Sequence, residues 1–196
     1  MADGALRGGI ALELPRVRAR LVTKDGQVID TTTDVWQVRT SPDGGSLLRF
    51  DWQAFGSSAG QAALDERSVK ILQLFVAWKL ATKKAHTIRN VLGAVRRLQR
   101  WYPRFARQID NAPHALRWAE LDEAALDAFL AHGLTTTERG NDFSRLRDLY
   151  RWGAFGLELP DFDPRLVVAL ETRRAPGNVK GAAVRGHHPT DGPLSA

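Results

Sequence analysis

Arginine side chains recur at helical intervals in the middle of the chain, where they could bind phosphate groups. Arg89, Arg96 and Arg100 would lie on one face of an α-helix, because positions three, four or seven residues apart are neighbours on its surface. Gly93 lies between them and has no side chain, so a sugar-phosphate backbone could approach such a helix closely. The guanidinium group is a planar donor that matches phosphate oxygens and the edge of guanine. The pattern predicts a surface that binds nucleic acid.

Positive charge is concentrated around this segment. The 196 residues carry 28 Lys and Arg against 22 Asp and Glu, which gives a formal net charge of +6 and a pI of about 10.2. No acidic residue lies between Glu66 and Asp110. That stretch contains the basic residues Arg67, Lys70, Lys79, Lys83, Lys84, Arg89, Arg96, Arg97, Arg100, Arg104 and Arg107. Because charges of one sign repel one another, we expect a polyanion to neutralise them; a solvated face of a helical bundle is the alternative.

Further contacts are expected at the start of this helix and on a later one. His86 and Thr87 stand where a hydroxyl and free backbone N–H groups could hold a phosphate, or could simply cap the helix. A later helix carries a comparable set of polar side chains. The predicted DNA-binding residues are Lys83, Lys84, His86, Thr87, Arg89, Asn90, Arg96, Arg97, Arg100, Arg139, Asn141, Arg145, Arg147 and Arg151.

The hydrophobic periodicity that positions these residues is mainly helical. It predicts helices over 65–82, 86–102, 122–132, 137–154 and 163–171. Pro103 should end the second helix, because the residue before a proline is disfavoured in the α region, and Gly133 should cap the third. The predicted class is mainly α, a four- to five-helix bundle. Its core should include Leu146 and the tryptophans Trp78, Trp101, Trp118 and Trp152.

A small antiparallel β-rich segment precedes the helices. Short β-rich runs cover 17–22, 28–29, 35–39 and 47–50, and Asp25-Gly26 and Asp43-Gly44-Gly45 suit hairpin turns. We predict a three- or four-stranded meander with an apolar face of Trp36, Phe50 and Trp52. The predicted organisation is a flexible lead at 1–16, the β-rich segment and linker at 17–60, a helical domain at 61–172 and a basic linker at 173–196.

The sequence lacks the motifs of several classes of enzyme and metal protein. It contains no Walker-type loop, no G-x-S-x-G, no H-E-x-x-H and no cysteine. His187 and His188 have only Asp191 nearby as a further ligand, so we predict no metal site. No apolar run approaches the roughly 18–20 residues of a membrane-spanning helix, and the N-terminus has no signal-peptide core. We expect a cytoplasmic protein with no cofactor, no membrane contact, no small-molecule substrate and no catalytic residues of its own.

The helical half resembles the core-binding domain of tyrosine recombinases, the phage-integrase family. The run from His86 to Leu98, followed by Trp101, is similar to the family's apolar and basic second helix, which starts at Ser or Thr and ends in an aromatic residue. The run from Leu146 to Trp152 resembles its later helix, in which a leucine-arginine pair precedes an aromatic residue. Trp118 to Asp122 is similar to its third helix, and Asp163-Pro164 stands where the family often has Asn-Pro. The resemblance covers about 64–171.

This resemblance implies one jaw of a DNA clamp. Double-stranded DNA would be the partner, together with other recombinase subunits on the same DNA. The family's catalytic arginines, lysine, histidines and nucleophilic tyrosine belong to a separate domain, expected beyond Ala196; Tyr102 and Tyr150 are instead expected in the core. We expect a DNA-binding N-terminal fragment of an integrase that positions duplex DNA for recombination. The alternatives are a stand-alone helical DNA-binding regulator and a helical module that binds an acidic protein.

Overall fold

Helices account for most of the described chain, which confirms the mainly α-helical class. The computed structural model describes residues 13–56, 63–109, 115–132 and 136–172. Its helices are α1 (Gln53–Gly56), α2 (Glu66–Thr82), α3 (His86–Ile109), α4 (Glu123–Ala131), α5 (Thr136–Arg151) and α6 (Pro164–Thr172). The predicted lead before residue 13, the linker at 57–60, Gly133, His187 and His188, and the tail from 173 lie outside the described residues.

Side-chain caps determine where two of the helices begin. The carboxylate of Asp65 accepts a hydrogen bond from the Ser68 N–H, 2.8 Å away, at the start of α2. Asp122 accepts one from Ala125, also at 2.8 Å, at the start of α4. Such caps satisfy N–H groups that have no partner inside the helix. Both helices lie within about a residue of their predicted bounds.

Helix α3 continues through Pro103, so the prediction that it ends at Tyr102 is wrong. Proline inside a helix removes a hydrogen bond and costs about 3 kcal/mol. Beyond Pro103, however, the buried face continues, because Phe105 stacks on Trp101 with ring centroids 4.7 Å apart and Ala106 is buried. Burial of these side chains offsets the cost of the proline.

Helix α5 ends in a π-helical turn, Trp152–Gly156, where the sequence predicted a continuous α-helix to residue 154. Gly153, within this turn, packs closely against Phe162. A Cβ at that position would lie 2.2 Å from the ring of Phe162, so no larger residue fits without movement. The turn brings Trp152 against Phe75 of α2, with ring centroids 5.3 Å apart.

The strands form two separate antiparallel hairpins, so the predicted single meander is wrong. One pairs β1 (Arg20–Val22) with β2 (Val28–Asp30), and the other pairs β3 (Val35–Arg39) with β4 (Leu47–Asp51). The side-chain amide of Gln27 joins the hairpins, because it exchanges two hydrogen bonds of 2.9 Å with the backbone of Arg39. This side chain thus joins the two hairpins where a single sheet would have backbone hydrogen bonds between strands. Gly26 and Gly44 supply the positive φ angles of the turns, 77° and 116°.

The hairpins and helices share one hydrophobic core. Trp36, Phe50 and Trp52 are buried as predicted and belong to the same cluster as the apolar faces of the helices. Backbone contacts join the two parts as well, since the Lys24 N–H donates to the Leu80 carbonyl at 2.7 Å. Trp101, Trp118 and Trp152 are buried as predicted. Trp78 packs against Phe75 and Trp152 at the edge of the core and remains 39% exposed.

Among the described residues, no helix combines the length and the apolar character that crossing a bilayer would require.

Candidate nucleic-acid interface

A basic cleft of about 420 Å³ lies between α3 and β4. Arg89, Gly93 and Arg96 line it from the helix, and Arg49 lines it from the strand. We call these four residues and their surroundings the arginine cleft. The three arginines are exposed, and the buried side chains of Leu48, Phe50 and Leu92 supply the apolar part of the lining. Exposed cationic residues and buried apolar residues therefore line the same cleft.

The local sequence explains why these arginines point outward. On α3 the residues Ile88, Val95 and Leu98 are fully buried, which leaves Arg89 and Arg96 on the opposite side. On β4 side chains alternate between the two faces, so Leu48 and Phe50 are buried while Arg49 is exposed. The arginine cleft forms where these two polar faces meet.

The position of Arg96 is restrained by an aromatic ring. Its guanidinium carbon lies 5.2 Å from the ring centroid of Phe55, which is fully buried. A cation over an aromatic face is stabilised by about 0.5–1 kcal/mol at a partly exposed site. The Phe55 carbonyl accepts a hydrogen bond from the buried Gln99 amide of α3 at 2.9 Å. Helix α1 thus connects the hairpin to the basic face of α3.

Gly93 leaves α3 open to close approach. A Cβ at this position would contact only the guanidinium of Arg97, at 3.6–4.0 Å, which is ordinary van der Waals distance. The free protein would therefore accept a larger residue here. Close approach of a ligand to the helix backbone at Gly93 remains a prediction, and the Arg97 guanidinium lies beside this position.

Some cations of the acid-free stretch are neutralised within the protein. Arg67 pairs with Asp161 at 2.7 Å, Lys79 with Asp148 at 2.8 Å, and Lys70 with Glu66 at 2.7 Å. The expectation that a polyanion neutralises the whole stretch is therefore too broad. Asp161 and Asp148 are distant in sequence from Arg67 and Lys79, and the tertiary fold brings each acid to its partner.

Arg97 is also committed to an internal partner. Its Nε lies 2.7 Å from one carboxylate oxygen of Asp142 on α5, and its terminal nitrogen contacts the other oxygen. Asp142 is completely buried. Arg97 was predicted to bind DNA, but this contact gives it a structural role between α3 and α5.

The remaining cations of the stretch are exposed and form no ion pair within the described ranges. They are Lys83, Lys84, Arg89, Arg96, Arg100, Arg104 and Arg107. All lie on α3 or in the short connection that precedes it. The cations of the acid-free stretch that have no acidic partner are therefore concentrated on this one element.

The helix start offers less to a phosphate than the sequence predicted. The hydroxyl and the backbone N–H of Thr87 both donate to the Lys84 carbonyl, at 2.8 and 3.1 Å. The Ile88 N–H donates to the Ala85 carbonyl at 3.1 Å. These donors are used within the turn, and the Thr87 hydroxyl donates to a carbonyl instead of accepting from a backbone N–H as a capping side chain does. His86 and the nearby Asn90 are exposed.

The predicted basic residues of α5 do not form a single face. Arg145 and Arg147 are half-buried and point in directions about 200° apart around the helix. Arg147 lies over the ring of Phe143, and Arg151 pairs with Glu171 of α6 at 3.4 Å. Asn141 is exposed, and the side chain of Arg139 lies outside the described part of the chain. This helix therefore has no counterpart of the arginine cleft among its described side chains.

Arg49 is the member of the cleft that the sequence did not reveal. Its alternation with Leu48 and Phe50 predicts an exposed position on a strand. Nothing in the local pattern indicates that this strand faces α3.

Both tyrosines belong to the core, as predicted. Burial raises the pKa of Tyr102 above its ordinary value, and its hydroxyl donates to Glu120 at 2.9 Å. Tyr150 is fully buried, which raises its pKa well above the ordinary value, and its hydroxyl donates to the Trp118 carbonyl at 3.1 Å. A neutral buried phenol is poorly placed to attack a phosphodiester.

No family model, curated protein or solved structure matches the chain. The chemistry of the arginine cleft therefore carries the functional proposal.

Proposed function

We propose that this protein binds the phosphate backbone of duplex DNA at the arginine cleft. The observation that carries the proposal is that Arg49, Arg89, Gly93 and Arg96 line one cleft, with no acidic residue among its described lining residues. Asp51 lies at 3.8 Å from Arg49, a long and exposed pair that leaves the guanidinium accessible. Arginines so placed can neutralise phosphates and release condensed counterions.

The spacing along α3 supports this ligand. Arg89 and Arg96 are two helical turns apart, which corresponds to about 10.5 Å along the axis. Arginines separated by this distance can contact different phosphates of one duplex. Gly93 lies between the two arginines and removes the side chain that would hold the backbone away. Arg100 extends the same face by one further turn.

We further propose that the bound DNA is a substrate of site-specific recombination and that this protein positions it for a tyrosine recombinase. The resemblance to the core-binding domain supports this proposal. The segment that carries much of the resemblance, His86 to Leu98, forms the first part of α3 and lines the arginine cleft. In this role the protein binds the duplex and fixes its position relative to the recombinase.

A salt titration tests the DNA-binding proposal directly. Fluorescence anisotropy of a labelled random-sequence duplex should give an affinity that falls linearly with salt on logarithmic axes. The Arg89→Ala/Arg96→Ala variant should bind more weakly and with a shallower slope. Arg151→Ala is the matched control, because its guanidinium pairs with Glu171 away from the cleft. An affinity independent of salt and of both arginines would refute the proposal.

A second experiment tests the recombination proposal. Duplexes that the protein selects from sheared genomic DNA should concentrate at the boundaries between integrated elements and the surrounding sequence. Selected fragments distributed evenly over the genome would contradict a role in recombination, although they would leave backbone binding intact.

A further inference from the structure

A second groove, of about 410 Å³, shares no lining residue with the arginine cleft. Residues 15–18 and 20–22 form one wall, and α2 forms the other through Leu74, Ala77, Trp78 and Ala81. Trp152 and Leu157 complete the lining. We call this the tryptophan groove.

One exposed tryptophan, packed on two buried aromatic rings, lines the groove. Trp78 is 39% exposed and packs against Phe75 and Trp152, with ring centroids 5.8 and 6.1 Å apart. Lys79 is held beneath this cluster by its ion pair with Asp148, which restrains α2 at this point. On the opposite wall Val22 is 59% exposed. Adjoining exposed apolar side chains of this kind mark sites of interaction more often than isolated ones do.

The charged groups of the groove are of one sign. Arg16, Arg18 and Arg20 line it, all three are exposed, and the part of the lining that the structure describes contains no acidic residue. None of the three forms an ion pair within the described segments. Asp30 lies opposite Arg20 in the β1–β2 hairpin but does not line the groove. The groove thus combines an apolar interior with a cationic wall.

We propose that the tryptophan groove binds an acidic peptide segment of a partner protein, with a bulky apolar side chain inserted beside Trp78. Charge complementarity identifies the acidic character of the partner, because three exposed arginines and no acid are among the described lining residues. The apolar lining favours a peptide over duplex DNA as the ligand. The phosphates of a duplex would make no apolar contacts with Trp78 and Val22. Tryptophan and arginine are also the residues that most often dominate the energy of protein–protein contacts. This inference is independent of the DNA-binding proposal.

The sharpest test uses a matched pair of substitutions at Ala81, which is exposed and lines the groove. Ala81→Glu adds a negative charge, whereas Ala81→Lys adds similar bulk with a positive one. A phage-displayed library of random peptides, selected on the immobilised protein, should yield sequences rich in Asp and Glu around an aromatic residue or leucine. A synthetic peptide of that consensus should bind Ala81→Glu roughly tenfold more weakly than wild type, because like charges face each other. It should bind Ala81→Lys and Arg96→Ala without loss.

Other outcomes would overturn the proposal. A selection that returns no peptide, or returns basic ones, excludes an acidic peptide as the ligand. Equal affinity for the two Ala81 variants places the peptide elsewhere. A labelled oligothymidylate should not bind in the groove. If it binds wild type and Ala81→Glu weakens that binding as much as expected for the peptide, the groove is assigned to single-stranded nucleic acid. Circular dichroism should show that both Ala81 variants remain folded, since the position is on the helix surface.

Discussion

Arg97 of α3 holds the completely buried Asp142 of α5 in a two-point ion pair, with Nε 2.7 Å from one carboxylate oxygen. The adjacent Arg96 points into the arginine cleft instead. Two neighbouring arginines on one helix therefore have different roles, one in stability and one in binding.

Arg97→Ala should lower the free energy of unfolding by about 3–5 kcal/mol, because it leaves a buried carboxylate without its partner. Arg96→Ala should change it by less than about 1 kcal/mol, the usual range for a partly exposed cation over an aromatic ring. Urea denaturation of both variants measures the difference. Equal midpoints would show that the pair does not contribute to stability. Replacing both partners together, as Arg97→Met with Asp142→Leu, should recover much of the loss.

Gly93→Ala should separate stability from DNA binding. Alanine inside a helix is more stable than glycine by roughly 0.5–1 kcal/mol, and the added Cβ meets no obstacle in the free protein. The melting temperature should therefore rise while affinity for duplex DNA falls. Unchanged affinity would mean that the DNA backbone does not approach α3 at this position.

Arg49→Ala and Arg89→Ala should each lower the slope of log affinity against log salt by about 0.9, the value for one phosphate contact on B-form DNA. Losses on specific and random duplexes should be similar, because phosphate contacts carry no sequence information. Anisotropy at several salt concentrations measures the slopes, with Arg151→Ala as the control. A normal slope for Arg49→Ala would exclude the β3–β4 hairpin from the interface.

Leu146→Ala should lower stability by about 2–5 kcal/mol, since the side chain is only 3% exposed and its loss leaves a cavity. Asn141→Ala, at an exposed position of α5, should have little effect. Denaturation midpoints distinguish the two. Similar midpoints for both variants would contradict the packing of α5.

The tyrosines predict how stability depends on alkaline pH. The chain has two, and the pKa of each is raised, mainly by burial. A folded-state pKa above the unfolded value near 10 favours the native state at lower pH, and this stabilisation is lost as the pH rises from about 10 through the folded-state pKa values. Tyrosinate absorbance should therefore appear only above pH 10 and together with unfolding. A transition near pH 10 in the folded protein would show that a phenol is accessible to solvent.

Much of the secondary structure could be predicted because it depends on interactions between near neighbours. The cap of α2 joins Asp65 to a residue three positions away, and the hairpin turns need the positive φ of Gly26 and Gly44. The exposed row of Arg89, Arg96 and Arg100 follows from helical periodicity alone. Each of these features is decided within one or two turns of chain.

Tertiary structure decided which cationic side chains are paired within the protein. It also decided which of the others line the arginine cleft. Arg67, Lys79 and Arg97 pair with acids 94, 69 and 45 residues away, distances over which periodicity contains no information. The same packing carries α3 through Pro103, because the burial of Phe105 and Ala106 outweighs a local preference. The sequence by itself determined a helix with a basic face. Folding then neutralised Arg97 against Asp142 and brought Arg49 to the cleft, since contacts between distant segments depend on how the apolar faces of all the elements pack together.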